Sequence, residues 1–224
     1  SSTGGRNRGQ PIALVPAATS LRTTFVRNLT GADNARLVNP RGVAVDQHGT
    51  VYVADPAAHL VFRFDSNGGS LPPLAIDAQR QAQPWDIGLL PDGSVVVDDA
   101  EAGLLYKVMA DGVASKLGDL HLGKPRGIDV GTNGMIYVAE TAANHVLIVS
   151  PEGQQVGQIV AGANGIPKLD QPTDVATLPD SSLVVAEPNA DRLEKVDANG
   201  AILGAWKIPH SDTFNAPHLA ALLD

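Results

Sequence analysis

Four segments of this 224-residue chain align with one another. They run from Pro40 to Asp65 (PRGVAVDQHGTVYVADPAAHLVFRFD), Pro84 to Met109, Pro125 to Val149 and Pro172 to Asp197. A fifth begins at Pro217 (PHLAALLD), and the leading prolines are spaced by 44, 41, 47 and 45 residues. A period of that length means one supersecondary unit stacked repeatedly, each copy burying an apolar face that it cannot bury alone. Within each unit a Pro precedes a short apolar run (Val43 to Val45 in the first). A Gly or Asn turn, a second run (Val51 to Val53) and a third (Leu60 to Phe64) follow. A second turn (Asn67-Gly68, Asp111-Gly112, Glu152-Gly153, Asn199-Gly200) leads into a weaker fourth run. Runs of Val, Ile, Leu and Tyr broken by Gly turns are strands in hairpins, and no stretch keeps a helical period. The fold expected is therefore all-β, a β-propeller of four-stranded antiparallel blades in a single domain over 1–224. The Pro, which lacks an N–H and fixes φ, suits the entry to the innermost strand.

The pattern from Pro40 to Asp55 (PRGVAVDQHGTVYVAD) resembles the NHL repeat, as does GANGIPKLDQP at 162–172 just upstream of a repeat. The resemblance covers about residues 20–224. Repeats two and four depart from it, with Trp85-Asp86 and Thr173-Asp174 in place of Arg-Gly. The resemblance implies a propeller and leaves activity open. Members of the family include bacterial sensor domains, protein-interaction and RNA-binding domains, and a metal-dependent amidating lyase. They are commonly six-bladed, so the chain is either a five-bladed ring, four whole repeats plus one composite blade from both termini, or a fragment of a six-bladed one. For the composite blade, Pro217 to Asp224 supplies the innermost strand and the N-terminal segment the rest. Two registers are open there. Gln10 to Val15 is the second strand, or Pro11 to Val15 is the third with Thr23 to Leu29 the fourth. The latter is preferred because it sets Thr30 to Asp33 against Ala161 to Asn164. An incomplete composite blade would leave a sheet edge open to another chain.

Charge narrows the partners. Residues 1–41 carry a net +5 and the remainder −13, giving −8 overall. Nucleic-acid binding by counterion release needs a basic surface, so nucleic acid is not an expected partner. The basic start, with 1–10 read as disordered, is a solvated segment. No cysteine is present, which is compatible with an exported or a cytoplasmic protein. No signal peptide and no apolar run of membrane-spanning length is visible.

Repeat-equivalent positions converge in a ring of blades, however far apart in sequence. The residue after each leading Pro is Arg41, Trp85, Arg126, Thr173 or His218, and the next includes Asp86 and Asp174. Arg41, Trp85, Asp86, Arg126, Asp174 and His218 around one channel mouth would bind a protein, a peptide or a small anionic ligand, through forked Arg donors and a stacking Trp face. The other reading of the same residues pairs Arg with Asp between adjacent blades. A second ring (Asp55, Asp99, Glu140, Glu187) closes the second strands and is read as structural, the carboxylates accepting amides of the adjoining turns. The six histidines form no zinc-binding pair, and no Gly-x-Ser-x-Gly elbow occurs. A non-catalytic recognition module without a cofactor is thus the leading expectation. The alternative is a metal-dependent hydrolase or lyase with a divalent metal on the axis, where His218 alone would be too few ligands for zinc.

Overall fold

The computed structural model describes residues 28–29, 36–79, 81–160 and 168–207. They form four antiparallel sheets of four strands, each in simple sequence order. The first holds β1 (Val43–Val45), β2 (Val51–Asp55), β3 (Leu60–Phe64) and β4 (Ser70–Leu74). The second holds β5 (Pro84–Leu89), β6 (Val95–Asp99), β7 (Leu104–Val108) and β8 (Ala114–Lys116). The third is β9 (Pro125–Val130), β10 (Ile136–Glu140), β11 (His145–Val149) and β12 (Gln155–Ile159). The fourth is β13 (Asp174–Thr177), β14 (Leu183–Glu187), β15 (Arg192–Val196) and β16 (Ile202–Lys207). Among the described residues the only helical element is a single 3-10 turn, Pro188–Ala190, and no helix is long and apolar enough to cross a membrane.

The turns explain the strand boundaries. The first hairpin of each blade closes on a left-handed residue: Gly49, Gly93 and Gly134, with φ of 77–83°, and Ser181 at φ 63° in the fourth. Glycine takes that conformation without a Cβ clash, whereas Ser181 adopts it at some cost. The residue before each third strand is left-handed too, as His59, Gly103, Asn144 and Asp191.

The first strands of successive blades face one another, β1 against β5, β5 against β9 and β9 against β13. The core lies between blades rather than at one centre. Ala54, Val61, Ile87 and Val97 pack between the first two blades. Leu105, Ile128, Val138 and Leu147 fill the next gap, and Tyr137, Val175 and Val185 the third. Fully burying each such side chain contributes roughly 1.5–3 kcal/mol. The first blade differs on its other face. Leu29 and Leu37 cover Val53, Phe62 and Phe64, yet Val43 and Val45 are 62% and 57% exposed, where their equivalents Ile87, Ile128 and Val175 are under 5%. A preceding blade would cover that surface; the composite blade expected from 11–29 and 217–224 lies almost wholly outside the described residues.

Two features fix how the inner strands meet. A Cβ on Gly42 would overlap Asp86 Oδ1 and lie 2.6 Å from Asp86 Cα, and one on Gly127 would lie 2.5 Å from Asp174 Cα. The Arg-Gly of an odd blade and the x-Asp of the next even blade are therefore complementary halves of one contact. Hydrogen bonds cross the same gaps: Gly42 N donates to Trp85 O at 2.9 Å, Ile128 N to Asp86 Oδ2 at 2.8 Å, and Thr177 N and Oγ1 to Asp129 Oδ2 at 2.6 and 2.7 Å.

Candidate functional site

Three of the residues expected at the mouth are brought together by three blades. Trp85 sits at the start of β5, and its indole is stacked by Arg41 just before β1 and by Arg126 at the start of β9. The guanidinium carbons stand 4.7 and 4.8 Å from the ring centroid. Arg41 is exposed, while Arg126 and Trp85 are half-buried. Among the described residues neither guanidinium makes an ion pair within 4 Å; the pairs that do form involve Lys107, Lys116, His145, Arg192 and Lys195. Blade-to-blade Arg–Asp pairing is thus absent there, and stacking on Trp85 takes its place. Each stack contributes about 0.5–1 kcal/mol at an exposed position and more where water is excluded.

Asp86 and Asp174 lie elsewhere. Both carboxylates turn into the gap between blades, against Gly42 and Gly127. Asp86 is held well above the usual carboxylate range, by burial first and then by the charges of Asp174 and Asp98, although the amides of Ile128 and Ile87 pull the other way. Asp129 is also raised, by burial, against its bonds from Thr177. His218 lies outside the described residues.

A residue that the repeat pattern did not single out organises this end of the second blade. Asp98 is completely buried in β6 at the register held by Ala54, Ala139 and Ala186 in the other blades. The pairing of β5 with β6 shifts between Pro84 and Ile87, a bulge that takes Trp85 and Asp86 out of the ladder. Asp98 Oδ1 accepts both of their amides, at 3.0 and 2.6 Å. In the first and fourth blades the corresponding amides of Arg41 and Thr173 go to the backbone oxygens of Ala54 and Ala186 instead. Asp98 Oδ2 is buried without a partner among the described residues. Burial, reinforced by the charges of Asp99 and Asp174, pushes this carboxyl up to about 8 despite the two amides. The signal in the sequence was an acid where three other blades carry Ala.

The second ring of acids is structural, as expected. Asp55 accepts the amides of Val38, Asn39 and Ala58, and Asp99 those of Glu101 and Ala102. Glu140 takes Gly123 N at 2.7 Å and pairs with His145; Glu187 takes Asp170 N at 3.0 Å and pairs with Arg192. The residue across the hairpin explains the choice of acid. The Asp blades place Leu60 and Leu104 opposite, and the Glu blades place His145 and Arg192. In the fourth blade Arg192 also lies 2.8 Å from buried Glu194, whose equivalents are Phe62, Tyr106 and Leu147. Burial raises Glu187 to about 7 and lifts Glu194 as well. A cleft of about 410 Å³ opens beside the third blade, lined by His121, Glu140, His145, Gln155 and Gln158 among others. Among the described residues no three His, Cys, Asp or Glu side chains gather as a metal site.

Residues 37–64 match the NHL repeat model. No curated protein sequence matches the chain. Among solved structures it is similar to a streptogramin B lyase, at 17% identity and TM-score 0.68, covering 85% of this chain and 60% of that one. It is also similar to a catalytically inactive virginiamycin B lyase from Staphylococcus aureus with quinupristin, at 19% identity and TM-score 0.65, covering 80% and 58%. A putative gluconolactonase aligns at 17% identity and TM-score 0.54, over 70% and 58%. The chain spans about 60% of the length of these structures, and at such identities the likeness is one of fold. With four consecutive four-stranded blades and this repeat in the first of them, the chain is an NHL-repeat protein on the β-propeller plan.

Proposed function

We propose that the protein is a recognition module that binds an anionic ligand, free or carried on a protein or peptide, at the mouth marked by Arg41, Trp85 and Arg126. The observation that carries this reading is the stack itself: two guanidinia ordered on one indole, with no carboxylate beside either among the described residues. Each guanidinium uses its face on the ring. Its planar edge keeps the forked N–H donors that fit a carboxylate or phosphate, and the stack holds that fork in place before a ligand arrives. Asp86 and Asp174 act behind this surface as packing groups. The alternative, a metal-dependent hydrolase or lyase with its ligands on the axis, draws on the lyase and gluconolactonase titles of structures that share the fold.

The test is collisional quenching of Trp85 in a Trp206→Phe background. Iodide, an anion, should quench Trp85 more strongly relative to neutral acrylamide than it does in the Arg41→Ala/Arg126→Ala double variant. Equal iodide-to-acrylamide ratios in the two proteins, with unfolding midpoints unchanged, would remove the anion site.

A further inference from the structure

Resting on the reading of this mouth as an anion site, we infer that its ligand is a dianion with two separated carboxylates, one bonded to Arg41 and the other to Arg126. The two arginines come from the first and third blades and are kept apart by the second, whose Trp85 lies between them in the blade order. Each guanidinium carbon is tied 4.7 or 4.8 Å from the same indole centroid, so both forks are fixed relative to one ring. Arginines free to converge would close on a single carboxylate; these are spent on the ring and cannot both reach one without unstacking. A ligand with two carboxylates satisfies both forks and leaves both stacks intact. The separation it must span is set by the ring and is at most about twice the stacking distance.

Charge favours carboxylates over a denser anion. The chain carries a net −13 beyond residue 41, so each added ligand charge meets more repulsion from the surrounding protein. Two carboxylates, one per guanidinium, are the least charge that fills both donors, and the Arg fork matches a carboxylate in plane. Such a pair occurs in a free linear diacid, and also in an extended peptide with acidic side chains at alternate positions, which lie about 7 Å apart on one face.

The experiment is calorimetric titration of the full chain with α,ω-dicarboxylates from succinate to sebacate, with the monocarboxylate of each length, and with the peptides Ac-Glu-Ala-Glu-NH2 and Ac-Gln-Ala-Glu-NH2. Affinity should peak at one diacid length and exceed that of the matching monoacid by about tenfold or more. Arg41→Ala and Arg126→Ala should each bring the diacid down to the monoacid level. Arg41→Lys and Arg126→Lys, which keep the charge and lose the fork, should retain only part of the preference. A Glu-Ala-Glu peptide tighter than every diacid marks a peptide source, and the reverse order marks a free diacid. Monoacid and diacid binding alike, a steady gain with chain length, or loss in one Arg variant alone overturns the inference. If iodide still favours Trp85 in that case, anion recognition stands and only the two-carboxylate ligand fails.

Discussion

Replacing Asp98 by Asn should change how stability depends on pH while leaving the fold in place. Asp98 is completely buried, and its carboxyl is raised from 3.8 to about 8, by burial first. The folded chain thus holds a proton that the unfolded chain releases near pH 4. The stability this contributes is full below pH 3.8, is lost as pH rises toward 8, and changes no further above that. A displacement of that size corresponds to a swing on the order of 5 kcal/mol across the window, a large share of what holds a domain together. Asp86 moves the same way, so the wild-type curve sums both groups. The difference between wild type and Asp98→Asn isolates Asp98. Asn keeps one oxygen to accept the amides of Trp85 and Asp86, and it puts an NH2 where the protonated oxygen stood. Urea unfolding followed by circular dichroism between pH 4.5 and 9 should show the variant gaining on wild type by up to about 1.4 kcal/mol per pH unit, then levelling near pH 8. Parallel curves would refute the buried proton. Asp98→Ala, though it restores the residue of the other blades, strips the acceptor from two amides and should cost about 1–3 kcal/mol per amide left buried and unpaired.

Gly42→Ala should destabilise by about 1–3 kcal/mol or more, because the new Cβ overlaps Asp86; adding Asp86→Gly should recover most of that in thermal melts, and no recovery would show that the Gly–Asp contact is not the cause. Arg192→Leu should cost about 3–5 kcal/mol at pH 8, where Glu187 and Glu194 are left buried without their cation. The cost should shrink by pH 5, since Glu187 already takes up its proton at about 7, and an equal cost at both pH values in urea melts would refute it.

The blades were legible because their cause is local. Pro40, Pro84, Pro125 and Pro172 mark strand entries, and left-handed turns recur at fixed offsets, so backbone rules alone place sixteen strands in four sheets. Equivalence around a ring is also a local rule applied repeatedly, and it brought Arg41, Trp85 and Arg126 together before any coordinates. What those side chains do on arrival was not legible. Pairing of Arg with Asp and stacking of Arg on Trp are both consistent with the same positions, and the choice depends on which way each inner-strand residue points. Alternate residues answer that: Gly42, Asp86, Gly127 and Asp174 face the next blade, where the close approach of Gly42 and Gly127 leaves room for the carboxylates.

The same alternation explains why the departures from the repeat are informative rather than noise. Trp85-Asp86 and Thr173-Asp174 look like lapses from Arg-Gly when each repeat is compared with a consensus. Compared with the neighbour it touches, each Asp is the group that fills the space left by the Gly before it. Asp98 follows from that arrangement. A bulge at Trp85-Asp86 frees two amides, and the Ala found elsewhere at this register cannot accept them. Glu194 is the parallel case, an acid in a row of Phe62, Tyr106 and Leu147 that is matched by an Arg where the other blades carry Leu60, Leu104 or His145. In a repeat chain the invariant positions build the blade, and positions where one copy breaks ranks mark where that blade does something its neighbours do not. By that criterion the second blade, which carries Trp85, Asp86 and Asp98 together, is where the recognition surface is set.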